Sequence, residues 1–416
     1  MPSSTHALFI PYPAQGHVLP LLELAHRFAD HGFAVTFVNT DYIRGQLVAA
    51  SPDLLAGQDG PPPPESGQVR LVSVSDGFPP DGDRNDLGTL TSALMSSLPA
   101  AVEHMIQNGQ FCCMVVDYAL ALVLGVAKKA GVRTATLWPS CAAMRAAGLD
   151  LPELIADGML DKDNEPGIAG LERRRHGGGT EADNLALGQG TVDLMLCNTV
   201  KELEEGILSK HPSILPIGPL PTGLRAGKPV ENFWAEDDSC LSWLDAQPDR
   251  SVVYVSFGSM VVLDQKQFHE LACGLELSGR PFLWVVRSSL ANTANYPDGF
   301  LEIVEKRGRL VLAHPAVACF VSHCGWNSVM AGVRNGMPFL TWPYFANQFI
   351  DESYVCDVWK TGLRLVKDAD GVVTSEHIAA RIENLASELQ QVASRSIGKD
   401  GTSFNNLTAV INARKG

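Results

Sequence analysis

Residues 310–348 read LVLAHPAVACFVSHCGWNSVMAGVRNGMPFLTWPYFANQ, and the order of residue types in that stretch decides the fold. Val317–Ser322 is an apolar run of the length a buried strand needs. His323, Cys324 and Gly325 make a tight turn. Asn327 or Ser328 can cap a helix that carries on through Met330 to about Asn335, where Gly336 and Pro338 end it. Residues 339–342 read as the next strand. A glycine turn that feeds a helix N-terminus is an anion cradle, because unpaired backbone N–H groups and the positive end of the helix dipole converge there. His323, Asn327 and Ser328 can each donate a hydrogen bond at that end, and Gly325 lets a ligand approach the backbone closely. The plainer alternative is an ordinary βαβ crossover with a polar cap. Any one of these residues alone favours the plainer alternative. HCGWNS together, followed by FANQ, favours a diphosphate cradle.

Outward from that stretch the same alternation of strand and helix continues in both directions. Toward the N-terminus, residues 7–12 are a first strand, PAQGH at 13–17 is a turn, and a helix with an apolar stripe runs to about His31. Strands follow at 33–38, 69–74, 111–117, 132–138 and 192–197, with helices at about 40–50, 87–108, 118–129 and 201–206. Residues 150–184 are irregular, and residues 218–250 carry Pro, Gly and acidic groups that suit a connection between domains. A second series begins with a strand at 251–256, the turn FGSM, a helix at 264–278 and a strand at 281–286. After the opening stretch, helices are expected at 346–360, 374–396 and 402–414. Alternation of this kind predicts parallel sheets wrapped by helices, two α/β domains of Rossmann-like type facing across a cleft. In such sheets ligands bind beyond the carboxyl ends of the strands, which is where His17, Asp117, Gly258-Ser259 and His323 fall.

Composition narrows the partners. The chain has 416 residues, enough for two medium domains, and 45% hydrophobic residues to fill two cores. Its formal net charge is −14 and no basic block occurs, so nucleic acid and anionic membranes are poor partners. Nine scattered cysteines without a CxxC pair fit reduced thiols rather than a disulfide framework or a zinc site. Cys324 beside His323 is better explained by the turn than by a nucleophilic pair. No signal peptide or membrane span is apparent, and a cytoplasmic monomer is expected.

The stretch resembles the signature box of the plant secondary-product UDP-glycosyltransferases. The matching residues are His314-Pro315, His323-Cys324-Gly325-Trp326-Asn327-Ser328, Gly336, Pro338, Trp342-Pro343 and Gln348. The likeness extends to PAQGH at the start, CLSWLDAQP and VVYVSFGSM at 240–260, and ESYVCDVWKTGLRL at 352–365. It implies the GT-B fold. The acceptor would be held mainly by residues 1–235, with the linker from about 218. The UDP-sugar would be held mainly by residues 236–416, whose last helices would pack back on the first domain. It also implies a hydroxyl of a small lipophilic acceptor, glucose as the sugar, inversion at the anomeric carbon, and no cofactor or metal. No DxD pair stands near the cradle, and Asp237-Asp238 reads as a solvated acidic run.

His17 is the candidate base. It follows a glycine at a helix start, where the dipole should lower the imidazole pKa and favour the neutral form. Asp117, at the end of a central strand, would orient it, as the acid does in a catalytic triad. A capping histidine and a capping carboxylate are the plainer alternatives, and the resemblance favours the catalytic roles. His323, Asn327 and Ser328 would receive the diphosphate charge, with Gly325 and Ser259 beside them and Trp326 packing the turn. Asn347 and Gln348 offer amides to sugar hydroxyls, or cap a helix. Trp138 and Ser140 would line the sugar site. Three features depart from the family. Ala331 stands where a ribose-binding glutamate is usual, Asn347 where an aspartate is usual, and the Trp-x-Pro-Gln segment before His314 is absent. They leave two alternatives open: a UDP-sugar-binding protein of the same fold with weakened or lost catalysis, or a transferase using another UDP-sugar. An NAD oxidoreductase is disfavoured, since no GxGxxG opens a helix in either half.

Overall fold

Strand β1 (His6–Ile10) is buried on both faces, and the side chains alternate between two cores. Ala7 and Phe9 join a cluster with Val18, Leu21, Leu22 and Ala25 of the helix Gln15–Asp30. Leu8 and Ile10 join another with Leu90, Leu94, Leu98 and Val102 of the helix Leu87–Asn108. A strand covered by helices on both sides reads as a continuous apolar run, and the ALFI that follows His6 is one. The computed structural model describes residues 5–50, 65–79, 82, 84, 86–156, 192–220, 224–225, 228–229, 239–286, 312 and 314–396. The chain divides into two units, Met1–Ala235 and Glu236–Gly416.

In the first unit, β1 pairs in parallel with β2 (Ala34–Thr40) on one side and β4 (Cys113–Asp117) on the other. β3 (Val69–Val74), β5 (Arg133–Trp138), β6 (Leu194–Cys197) and β7 (Ile214–Pro216) complete a sheet of order β3-β2-β1-β4-β5-β6-β7. The order reverses between β1 and β4. A crevice opens at such a switch point, outside the carboxyl ends of the strands, and ligands bind there. A two-stranded ribbon, β8 (Leu224–Arg225) with β9 (Lys228–Pro229), lies near the end of this unit.

The second unit holds β10 (Val252–Ser256), β11 (Phe282–Val285), β12 (Val317–Ser322), β13 (Phe339–Thr341) and β14 (Gly362–Arg364), all parallel, in the order β11-β10-β12-β13-β14 among the described residues. Its switch point lies between β10 and β12. Val253, Val255, Cys319 and Val321 bury one face against Leu271 and Leu275 of the helix Gln265–Leu277 and Ile378 and Ile382 of the helix Ser375–Ser396. Asp264 starts the former helix by accepting the Gln267 N–H at 2.8 Å.

Several boundaries differ from the sequence expectation. The helix expected over 118–129 is a 3₁₀ turn, Tyr118–Val123, then the α-helix Leu124–Lys129. The helix expected over 346–360 is α only over Gln348–Ser353 and continues as a π turn, Tyr354–Val358. A helix runs to Ala156 where irregular chain is expected from 150. β7 and β14, three residues each, carry too little pattern to be read as strands. The expected helix at 402–414, the residues between 157 and 184, and Asp237-Asp238 lie outside the described residues.

Candidate active site

Each unit brings one group of the expected residues to its switch point. In the first, the chain leaves β1, turns through Tyr12–Ala14 and enters the helix at Gln15, which puts His17 in its first turn. Asp117 is the last residue of β4 and is fully buried. The two meet: His17 Nδ1 lies 2.8 Å from Asp117 Oδ2. Asp117 Oδ1 accepts the Ala119 N–H at 2.9 Å, so the carboxylate also caps the 3₁₀ turn that follows. The capping alternative and the orienting role are therefore one arrangement. A carboxylate held at both oxygens keeps its partner imidazole in a single tautomer, with Nδ1–H donating to Asp117 and Nε2 left as acceptor. His17 remains about one-third exposed, so Nε2 can meet a ligand.

Helix-dipole reasoning predicts a lowered His17 pKa; the structure reverses that. Burial pulls the pKa down, but the Asp117 charge and hydrogen bond push it up, and the net shift is upward from the ordinary 6.5. The sign for a base follows directly. Protonated His17 cannot accept a proton, so activity should fall as pH drops through its pKa. The acid limb of kcat/KM should therefore lie above pH 6.5, and Asp117→Asn, which removes the charge, should move that limb to lower pH while slowing turnover. A pH–rate series on both proteins reads this; a limb that does not move with Asp117→Asn would assign it to another group.

Trp138 ends β5, the strand paired with β4, its indole N–H donating to the Cys141 carbonyl at 2.9 Å and its ring edge-on to Tyr118 at 5.2 Å. With the N–H so engaged, Trp138 can offer a ligand only its ring. Ser140 stands in the turn after it, and its carbonyl accepts from the Cys197 thiol at 3.3 Å. Sequence reasoning missed Glu204. Its buried carboxylate accepts the Ala142 and Ala143 N–H groups at 2.8 and 2.9 Å and the Thr199 hydroxyl, which pins the start of the helix Ala142–Ala156 to this corner of the sheet.

In the second unit the turn after β10 meets the turn after β12. Gly258 has φ +67, and a Cβ there would stand 2.7 Å from the His323 ring. A Cβ on Gly325 would stand 2.5 Å from His323 Nε2. The imidazole is thus held between two glycines, and Cys324 takes the left-handed φ of 62 that lets the chain double back. Gly258→Ala should displace this ring and strain the turn. If the ring belongs to a diphosphate cradle, as the family resemblance implies, the variant should weaken UDP binding by roughly tenfold or more, about 1.4 kcal/mol, in a protein of unchanged circular dichroism; unaltered affinity would remove the ring from such a cradle.

His323 Nδ1 faces the Ser256 carbonyl at 3.4 Å. Burial pushes its pKa down to about 4, against the upward pull of that hydrogen bond. The ring is therefore neutral near pH 7, with Nδ1–H donating to Ser256 and Nε2 an acceptor. The expected donor to diphosphate becomes one by moving that proton to Nε2 or by taking up a second, which an approaching anion favours. The helix Trp326–Arg334 begins with Gly325 at its cap and no side-chain capping bond, so the expected cap by Asn327 or Ser328 does not form. Asn327 and Ser328 are half-buried in the first turn, and Ser259 lies half-buried in the β10 turn beside Gly258. Trp326 is 3% exposed and packs on Tyr354 and Trp359, so it supports the turn rather than facing a ligand. Burial and nearby carboxylates raise the Cys324 thiol well above its ordinary value, which leaves no nucleophile there.

Asn347 and Gln348 close the loop after β13, but not as a side-chain cap. Gln348 Oε1 accepts the Tyr344 and Phe345 N–H groups at 2.7 and 3.1 Å, which orders the loop and leaves its amide N–H groups for another partner. Asn347 donates to the buried Asp351 carboxylate at 2.6 Å, so a carboxylate stands one helical turn from the position where the family usually has one. Among the described residues no three His, Cys, Asp or Glu side chains gather to hold a metal, and no helix is long and apolar enough to cross a membrane. All nine cysteines are free.

Two α/β units, each with ligand-type side chains at its switch point, match known proteins along the whole chain. UDP-glycosyltransferase 83A1 of Arabidopsis thaliana is 35% identical over 453 aligned positions, covering 98% of this chain and 96% of that protein. The chain belongs to the plant UDP-glycosyltransferases. The family described as UDP-glucoronosyl and UDP-glucosyl transferase matches residues 230–387. Gallate 1-beta-glucosyltransferase of Quercus robur is 32% identical, covering 98% of this chain and 89% of that one. Among solved structures, Os79 from O. sativa in complex with UDP superposes with a TM-score of 0.73 at 28% identity, covering 99% of this chain and 100% of that one. The glycosyltransferase thus has the GT-B fold and transfers a sugar from a UDP-sugar.

Proposed function

We propose that this glycosyltransferase moves glucose from UDP-glucose to a hydroxyl of a small lipophilic acceptor, by one in-line displacement with inversion and without a metal ion. The observation that carries this reading is the 2.8 Å contact between His17 Nδ1 and the buried, doubly held Asp117. It leaves Nε2 free to take the acceptor proton as the oxygen attacks the anomeric carbon, and Asp117 then stabilises the imidazolium. The leaving diphosphate would be met by His323, Ser259, Asn327 and Ser328 and by the backbone at Gly325, as preorganised donors around developing charge. His323 would donate from Nε2 as that charge arrives, by a change of tautomer or by gaining a second proton. Asn347 and Gln348 would meet sugar hydroxyls, and Trp138 and Ser140 would line the sugar. Acceptor binding belongs to residues 1–235 and nucleotide binding to 236–416 on this account. Its relatives include glucosyltransferases by name, which supports glucose over another sugar. Ala331 supports a second reading, a UDP-sugar binder with weakened turnover, because alanine offers nothing to a ribose.

Transfer from several UDP-sugars to a panel of phenols and terpenoid alcohols, followed by mass spectrometry, tests the reading. The account expects glycoside from UDP-glucose; nucleotide binding without any glycoside would favour the second reading. Exhaustive chelation with EDTA should leave the rate unchanged, since the charge of the leaving group is met by fixed donors. Activity lost on chelation and restored by magnesium or manganese would overturn the metal-free step.

A further inference from the structure

Arg145, on the helix Ala142–Ala156, is 2% exposed. Its Nε–H points at the Met195 thioether at 3.3 Å, a weak acceptor. Its guanidinium carbon lies 4.6 Å from the centre of the Tyr118 ring. Nη1 is buried and has no hydrogen-bond partner, and among the described residues no carboxylate pairs with the side chain. A buried cation without an anion is unfavourable, and an apolar side chain of the same size would pack there at less cost. Burial accordingly pulls the guanidinium below its ordinary pKa, with Tyr118 pulling back. The surroundings say which anion would complete it. Tyr118 follows Asp117 directly, and its ring meets Trp138 edge-on. The unpaired guanidinium therefore packs on the residue that follows Asp117 in the chain, within the acceptor-binding unit of the function proposed above.

We propose that Arg145 anchors a carboxylate carried by the acceptor, so that the acceptor is a hydroxy acid. The inference rests on the glycosyltransferase reading. Guanidinium and carboxylate match in charge and in their paired hydrogen-bonding geometry, and such pairs are strong when withdrawn from water. The anchored carboxylate is not the reacting group. It has no proton for His17 to take, and its charge is drawn toward the cation. The sugar goes to the hydroxyl: the C–O bond to that oxygen forms, the bond to the diphosphate breaks, and the hydroxyl proton passes to His17 Nε2.

The test pairs 4-hydroxybenzoate and 4-coumarate with their methyl esters as acceptors, with UDP-glucose as donor. In at least one pair, kcat/KM for the acid should exceed that for the ester by about tenfold or more, through KM. Arg145→Met should bring that ratio to about one, and Arg145→Lys should retain part of it. Esters used as well as acids in every pair, or a ratio that Arg145→Met leaves unmoved, would overturn the inference while the transferase reading stands. No transfer to either member of any pair, with glycoside still formed from other acceptors of the panel, would overturn this inference alone; no glycoside from any acceptor, with UDP-glucose still bound in calorimetry, would remove the transferase reading and this inference with it. Should Arg145→Met fail to fold by circular dichroism, the wild-type ratio and Arg145→Lys decide.

Discussion

His17→Gln should lose between about 10² and 10⁴ of the turnover, the range a positioned general base contributes. Glutamine is the sharper replacement because its amide can still donate to Asp117, so the buried carboxylate keeps its two hydrogen bonds. What glutamine cannot do is take a proton. Fold and stability should therefore change little, whereas His17→Ala removes a partner from a fully buried carboxylate and should also cost about 1–3 kcal/mol of stability. UDP-glucose affinity should hold within about twofold in both variants, well under the 1.4 kcal/mol that a tenfold change represents, since the proposed nucleotide cradle is built from residues 256–348. Undiminished transfer to a hydroxyl acceptor by His17→Gln would take His17 out of the mechanism.

Ala331→Glu should tighten UDP binding by about tenfold or more, roughly 1.4 kcal/mol. Ala331 is half-buried on the helix Trp326–Arg334, four residues beyond Asn327 and so about one turn along the same face. A ribose whose diphosphate sits at the start of that helix would lie within reach of a carboxylate there, which could accept from both hydroxyls. Hydrogen bonds to a charged group contribute roughly 1.5–3 kcal/mol each, so part should survive the loss of solvation. A 2′,3′-dideoxy analogue of UDP, with no hydroxyls to donate, should gain much less. Calorimetric titration of both proteins with both ligands decides; equal UDP affinities would place the ribose elsewhere.

The parts of this fold that were legible in the sequence are those where burial on both faces leaves a run with no polar interruption. Val317–Ser322, buried along its whole length, falls where the pattern puts it; Val69–Val74 does so too, although it carries Arg70 and Ser73 and is mostly only half-buried. The three-residue strands Ile214–Pro216 and Gly362–Arg364 were not legible, because their place in the sheet comes from neighbours and not from their own side chains. The site divides the same way. A glycine turn before a helix locates His323 and His17, but not the electrostatics. The dipole alone predicts a lowered His17 pKa, and a carboxylate a hundred residues away in the chain reverses it. The neutral state of His323 likewise depends on burial between Gly258 and Gly325, a contact across 65 residues of chain. Glu204 lies in the acidic run KELEEG, where nothing distinguishes the one buried carboxylate from its solvated neighbours. Arg145 gave no signal for a related reason: an arginine on a helix reads as surface until its burial is known.

The measurement that bears most directly on the central claim is the anomeric configuration of the product. UDP-glucose carries an α bond to the diphosphate. One in-line displacement, with His17 Nε2 taking the acceptor proton, must deliver the β-glucoside and one UDP for each glycoside formed. Proton NMR of the isolated product reads the configuration from the coupling of the anomeric hydrogen, and UDP release is counted in the same reaction. The account predicts the β-glucoside alone, lost in His17→Gln; an α-glucoside would contradict direct attack by the acceptor oxygen.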